Sequence, residues 1–430
     1  MSRRCGNGSR AGSTAVLLQR CLAAGLARVD GQRAVRTALA DRVPPGRVGL
    51  VAIGKAAEAM AAGAIEAWGE AIGPGLVIGK GGPTAVTLAE DRLDAAWRSR
   101  LTVCYGSHPI PDETSLAAGE ALVRLLQGRT DPDLWLMLFS GGASSLVEVP
   151  APGVDLDCLA RVNAWLLASG LPIETINPLR ARLSRIKGGG LLDYLNGATA
   201  LGLAISDVPD DAPELIGSGP LTPMRGEADV PTDAPGAVRI CFARAGVPAS
   251  RTADVPVEVA IVARLADAIS AAAAQAEALR CDADWDVHVH TALLSGDSEV
   301  AGRRCVESLR AGPPGVHIWG GETTVRLPDP AGVGGRNQHL ALAAAIAGDG
   351  QPGWALLAAG SDGNDGNTAY AGALVDGGTA ALMRGAGVEP RQHLVGADSS
   401  SALRRVGATL ATGPTGTNVR DLIVGWSAPG

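Results

Sequence analysis

The feature that most constrains this fold is a repeated unit: a short apolar run, then a glycine loop, then a helical stretch. Val48 to Gly54 (VGLVAIG) leads into KAAEAMAAGAIEAW, and Leu134 to Gly142 (LWLMLFSGG) leads into ASSLVEV. Gly202 to Val208, Val316 to Val325 and Trp354 to Gly363 are further apolar runs that end in polar or glycine loops. Units of this kind predict a largely parallel α/β sheet with helices on its faces. Ligands of such sheets collect beyond the carboxyl ends of the strands, so the chemistry belongs in the loops.

At 430 residues the chain is long enough for about two or three domains, each with a core that needs no disulfide or structural metal. The Pro, Ala, Asp and Gly-rich stretch between Leu221 and Pro256 predicts a boundary. The expected organisation is an α/β domain over 1–235, a boundary over 236–255 and a second α/β domain over 256–430. With 37 Lys and Arg against 44 Asp and Glu, the net charge of −7 offers no basic field for a polyanion, so no nucleic-acid partner is expected. The seven cysteines stand singly with no CxxC pair, which predicts reduced thiols and a cytoplasmic setting. The stretch before Asp30 lacks acidic residues and carries Arg3, Arg4, Arg10, Arg20 and Arg28, a composition shared with transit peptides. The near-helical spacing of Val16, Leu17, Leu18, Leu22 and Leu26 instead predicts a first amphipathic helix. No uncharged apolar run approaches the roughly 18 residues of a membrane helix, so no membrane partner is expected.

Only three of the basic residues, Lys55, Lys80 and Lys187, are lysines, and each stands beside glycine. Where arginine is the default cation, a lysine points to a need for a compact, flexible ammonium. The SGGASS loop, Ser140 to Ser145, is either a phosphate cradle of backbone N–H groups and hydroxyls or an ordinary strand-to-helix turn. No Walker loop is present, because Pro74 and Gly81 occupy positions that it gives to Gly and Ser or Thr. Gly348 to Gly353 fits GxGxxG but follows a helical run and contains Pro352, so it is not a dinucleotide fingerprint. Arg336 and Asn337, at a glycine turn, suit either a clamp on a carboxylate or phosphoryl group or a solvated cap. Asp362 and Asp365 gather in a glycine loop that suits magnesium or a plain Asx-turn, and Asp207 stands at a strand end. His108, in GSHPIPDE, has the most motif-like setting of the six histidines, with a structural role as the default for each.

Taken in order, VAIGKAAEAMA, GSHPIPDETSL, LFSGGASSLVE, LSRIKGGG, ISDVPDDAPELIGSGP, GGETTV, GGRNQ, SDGNDG and TGPTGTNV resemble the glycerate 2-kinase family with its C-terminal MOFRL domain, from about Leu17 to Val424. Members of that family were often labelled hydroxypyruvate reductases. The resemblance implies two α/β domains, the first a Rossmann-like three-layer sandwich, with an interdomain cleft. It implies transfer of the γ-phosphoryl of ATP to the 2-hydroxyl of D-glycerate, with Mg2+. Its lysine falls on Lys55 and its arginine on Arg336. By the same mapping Asp207 is catalytic or a metal ligand, Asp362 is a metal ligand, and Gly141, Gly142, Ala143, Ser144, Lys187, Asn337 and Asn418 bind the cofactor. A homodimer is compatible with the sequence.

Several positions depart from the family pattern: Ala181 and Arg182 replace a lysine and a histidine, Ala369 replaces an aspartate, Ala212 stands in the altered loop after Asp207, and Leu221 replaces a threonine after SGP. They leave three alternatives beside the glycerate kinase: a kinase for another small 2-hydroxy acid, a hydroxypyruvate reductase, and an inactive metabolite-binding homologue.

Overall fold

The structure, a computed structural model, describes residues 8–81, 92–93, 95–128, 132–223, 229–246, 256–280 and 284–429. Arg3, Arg4, Cys5, Cys281 and the parts of the Pro/Gly-rich stretch at 224–228 and 247–255 lie outside the described residues. The chain forms two compact units. One is Asp30–Arg264 with Gly416–Asn418; the other joins the described residues up to Val29 with Leu265–Thr415 and the chain from Val419 on.

The first unit is built on six strands: β1 (Val48–Ile53), β2 (Ile72–Lys80), β3 (Leu101–Gly106), β4 (Leu134–Phe139), β5 (Ala200–Ile205) and β6 (Val257–Ala263). Their order is β3-β2-β1-β4-β5-β6 and every pairing is parallel. Every residue of β1, β4 and β5 is buried. This is why these strands read as unbroken apolar runs: helices cover both faces, so neither side of the pleat meets water. The three-layer expectation holds here, and the strand order is that of the dinucleotide-binding folds.

The boundary falls later than 236–255. β6 completes the first sheet by pairing with β5 from Ala200↔Val257 to Ile205↔Ala263, which engages backbone groups that would otherwise face an open edge. The helix Gly236–Ala245 buries Val238, Cys241 and Phe242 against Leu159, Val162 and Leu166 of the helix Leu156–Ala168, so it is part of this unit's core rather than a linker. Here the reading of the cysteines is corrected: Cys158 and Cys241, 83 residues apart, form a disulfide, while Cys21, Cys104 and Cys305 are free thiols. Sequence spacing could not show that two helices bring them together.

The second unit has β7 (Asp286–Val289), β8 (Gly315–Gly321), β9 (Trp354–Gly360), β10 (Gly372–Asp376), β11 (Thr409–Leu410) and β12 (Asp421–Ser427), in the order β11-β10-β9-β12-β8-β7. Only β7 and β8 pair in parallel; the other four pairings are antiparallel, which corrects the expectation of a parallel sheet for this part. The loop between β9 and β10 is too short for a crossover helix, so β10 must return antiparallel. β12 then inserts between β8 and β9. The expected first helix is present as Gly8–Arg28 and packs Leu18, Cys21 and Leu22 against Leu265, Ile269, Ala272 and Ala276. No described helix is long and apolar enough to cross a membrane.

Candidate active site

In the first unit the direction of strand ordering reverses between β1 and β4, which lie side by side from Val48↔Leu134 to Ile53↔Phe139. A reversal of this kind opens a crevice at the carboxyl ends of the two strands. Two loops leave there together, Gly54-Lys55 after β1 and Ser140-Gly141-Gly142 after β4. They are bonded to each other: the Lys55 N–H donates to the Gly141 carbonyl at 3.0 Å, and the Ala56 N–H donates to Ser140 Oγ at 3.0 Å. Gly54 has φ +133°, and a Cβ there would lie 2.1 Å from Ser140 Oγ, so only glycine permits the contact. The structure therefore brings Lys55 to the SGG loop through one backbone bond and the Ser140 hydroxyl.

Gly141 and Gly142 are ringed by polar side chains. A Cβ on Gly141 would lie 1.9 Å from Asn418 Nδ2 and 2.1 Å from Asp207 Oδ2, and the Asn418 amide donates to Asp207 Oδ2 at 3.2 Å. Gly142 takes φ +87°; a Cβ there would lie 3.3 Å from Lys55 Cγ, 3.2 Å from His108 Cδ2 and 3.6 Å from His108 Nε2. Neither glycine N–H donates to a protein acceptor among the described residues. Two glycine N–H groups that no protein acceptor takes, beside the Lys55 side chain, are suited to receiving an anion. Ala143 and Ser144 open a helix of only four residues, Ala143–Leu146. Of the residues expected to serve the site, Lys55, Gly141, Gly142, Asp207 and Asn418 thus meet at one place.

Lys187 does not project there. Its side chain is 3% exposed and pairs with Glu148, itself 1% exposed, whose other oxygen accepts the Ser184 hydroxyl at 2.6 Å. Burial pulls the Lys187 ammonium down while Glu148 holds it up. A second buried carboxyl, Glu58, follows Lys55 in the helix Ala57–Trp68; burial pushes it up to about 7, against its own backbone N–H and Arg92.

In the second unit Arg336 and Asn337 begin the helix Arg336–Ala347. Arg336 donates from Nε to Asp421 Oδ2 at 2.6 Å and from Nη2 to Asp421 Oδ1 at 3.0 Å, and its Nη1 lies 2.7 Å from Glu322 Oε1. A guanidinium carries five N–H donors, so this anchoring leaves one on each Nη for a ligand. Burial pushes Asp421 up to about 6, and the opposing pull of Arg336 keeps it ionised at neutral pH. Asp365 is 2% exposed and accepts the backbone N–H groups of Asn337 and Gln338 at 3.0 and 2.8 Å, with both of their amides also on it. It therefore caps the helix that carries Arg336, and the buried Asn337 belongs to the same framework. Asp362 is half-buried and makes an Asx-turn with the Asn364 N–H at 3.0 Å. No cluster of three or more His, Cys, Asp or Glu placed to hold a metal occurs among the described residues.

Sequence reasoning missed Asp421 and Glu148 and gave His108 only a structural role. The signal for Asp421 is a lone carboxylate opening the apolar strand DLIVGW; for Glu148 it is the single charge in SSLVEVP.

Residues 17–234 match the family described as a domain of unknown function (DUF4147), and residues 315–421 match the MOFRL family. The chain is 35% identical over 394 residues to a D-glycerate 2-kinase of Thermotoga maritima, covering 88% of this chain and 90% of that one. It is 36% identical over 427 residues to an Agrobacterium vitis protein provisionally called a hydroxypyruvate reductase, covering 94% and 93%. The crystal structure of a Thermotoga maritima glycerate kinase superposes with a TM-score of 0.79 at 33% identity, over 97% of this chain and all of that one. The class is thus a two-unit α/β protein with a glycine loop at the reversal of its parallel sheet. The chain belongs to the glycerate 2-kinase family.

Proposed function

We propose that this protein is a D-glycerate 2-kinase, which transfers the γ-phosphoryl of ATP to the 2-hydroxyl of D-glycerate and yields 2-phosphoglycerate and ADP. The observation that carries the reading is the meeting of Lys55 with the two unpartnered N–H groups of Gly141 and Gly142 at the β1/β4 reversal. Phosphoryl transfer asks a protein mainly to position two reactants and to neutralise charge on the group in flight. Lys55 and the glycine N–H groups supply that neutralisation, and Arg336, held rigid by Asp421 and Glu322, offers a fork for the second anion. In this reading Lys55 in the first unit and Arg336 in the second are each an anion-receiving side chain, and Asn418 holds Asp207 in place.

The carboxylates of Asp207 and Asp362 fit magnesium in kind: both are hard oxygen donors and both are partly exposed. Magnesium, when bound with ATP, would neutralise phosphate charge, which suits a cation that keeps most of its waters and takes few protein ligands.

The reductase reading has the strand order on its side but not the loop. After β1 the chain reads Gly54-Lys55-Ala56-Ala57-Glu58-Ala59, so Ala56 stands where a dinucleotide fingerprint has its second glycine, the one that gives a pyrophosphate its close backbone approach. The test is ³¹P NMR of the purified chain with Mg-ATP and D-glycerate, with L-glycerate in parallel. A 2-phosphoglycerate resonance appearing with ADP is the expected result; no phosphoglycerate in either tube overturns the proposal.

A further inference from the structure

We infer that Arg180 binds the substrate: its guanidinium receives the carboxylate of the acceptor hydroxy acid. The inference deepens the kinase reading and rests on it. Arg180 lies in the last turn of the first-unit helix Ile173–Arg182, whose place is set by a side chain one turn earlier. Asn177 donates from Nδ2 to the Leu215 carbonyl at 2.9 Å, and its Oδ1 accepts the Ser218 hydroxyl at 3.0 Å. The turn Ile216–Ser218 gripped in this way lies against the start of the helix that follows the SGG loop, since a Cβ on Gly217 would stand 3.1 Å from Ala143 Cβ. Residues three apart share a helix face, so Arg180 follows Asn177 on the same side of its helix.

The guanidinium is held at one edge and open at the other. Its Nε donates to Oδ1 of the buried Asn163 at 3.0 Å, and Asn163 is itself fixed by donating from Nδ2 to the Leu159 carbonyl at 2.9 Å. Nη1 and Nη2 make no hydrogen bond or ion pair among the described residues, and neither is sealed from solvent. Four N–H donors of a planar fork are thus presented, in an orientation set by a buried amide.

The charges around the fork do not cancel. Glu148 is the carboxylate whose field supports Arg180, and it is already paired with Lys187. Lys187 in turn is repelled by Arg180, and burial works against both cations. Two cations therefore share one anion. The charged side chains next along the chain do not supply the missing partner: Glu174 and Glu214 form no ion pair with Arg180 among the described residues, and Arg182 and Arg185 lie over the rings of Phe242 and Tyr194. Ala181, where the family pattern has a lysine, adds no further cation.

A cation withdrawn from water needs a partner, and an excess of one positive charge matches a monoanion. A carboxylate has that charge, and its two coplanar oxygens accept two parallel bonds from a guanidinium fork. The phosphates of ATP carry more negative charge than this excess balances, and Lys55, the glycine N–H groups and Arg336 remain for them.

The experiment compares the full chain with Arg180→Gln, by steady-state ADP release in Mg-ATP and D-glycerate and by thermal unfolding without ligand. Arg180→Gln should raise the KM for D-glycerate at least about 10-fold and leave the KM for ATP within about 3-fold. It should melt no lower than wild type, because it sheds a charge that no side chain balances. A KM for D-glycerate within about 3-fold of wild type overturns the inference while the kinase reading stands, as does a KM for ATP that rises equally. If Arg180→Gln melts well below wild type or fails to fold, Arg180→Lys decides: it keeps the charge but gives up the fork. Its KM for D-glycerate should still rise about 5-fold or more, and a wild-type KM overturns the inference. An inactive wild type removes the kinase reading and this inference with it.

Discussion

Replacing Lys187 by methionine tests whether its ammonium serves the nucleotide or the interior. The pair with Glu148 is almost wholly out of water, at 3% and 1% exposure. Removing one partner leaves the Glu148 carboxylate buried with only the Ser184 hydroxyl, the Val149 N–H and the distant Arg180 to compensate. Breaking a buried pair in this way costs about 3–5 kcal/mol, more than most core truncations that remove a single methyl group. For a unit of this size each kcal/mol moves the melting point by about 2–4 °C, so Lys187→Met should melt roughly 6–20 °C lower. The companion Lys187→Met/Glu148→Leu should recover most of that loss, because two packed apolar side chains need no partner. The assay is thermal unfolding by circular dichroism, run beside steady-state kinetics in ATP. The KM for ATP should stay within about 2-fold. An unchanged melting point with a KM for ATP raised tenfold or more would refute the reasoning and return Lys187 to the nucleotide.

Three further outcomes follow from the geometry. Lys55→Ala and Arg336→Ala should each lower kcat by at least about 100-fold, the equivalent of ~3 kcal/mol of charge stabilisation, measured by ADP release; wild-type turnover in either removes it from the site. Gly141→Ala should lose kcat/KM by a factor of about 10 or more with little change in melting point, because its Cβ would meet Asn418 and Asp207 at 1.9 and 2.1 Å. Glu58→Gln tests a pH dependence: burial raises the folded pKa from 4.5 to about 7, so the folded state binds this proton more tightly than the unfolded one. That contribution is present below about pH 4.5 and is lost as pH rises through 7, in all about 3 kcal/mol; Glu58→Gln should therefore melt higher than wild type at pH 8 and level with it near pH 4.5.

The first sheet was legible because its strands are buried on both faces: VGLVAI, LWLMLF and ALGLAI announce themselves without any pairing information. Lys55 and the SGG loop were legible for a related reason, since a loop at the end of such a strand has few places to go. The second sheet was not, because strand direction depends on which edge a returning strand joins, and nothing local in DLIVGWS states that it enters between β8 and β9. β6 was assigned to the wrong side of the boundary for the same reason: its half-exposed VEVAIVA reads equally well as the first strand of a new domain. Asp365 illustrates a limit at the level of a site. Its glycine-rich surroundings suggest a metal loop, yet the N–H groups that claim it come from a helix start 28 residues earlier.

The interleaving of the two units along the chain has a consequence for how the protein is made. The chain passes from one unit to the other between Val29 and Asp30, again after Arg264, and twice more around Gly416–Asn418. A nascent chain emerging from the ribosome therefore carries its first helix long before the sheet that helix covers has been translated. The unit that contains Lys55 has its six described strands by Ala263, yet it cannot seat Asn418 beside Asp207 until the second unit's strands up to β11 have emerged as well. Both units stay incomplete until the chain beyond Gly416 has been made, so a chain cut off before Gly416 should lack a member of the Gly141 ring even where its first sheet has already formed.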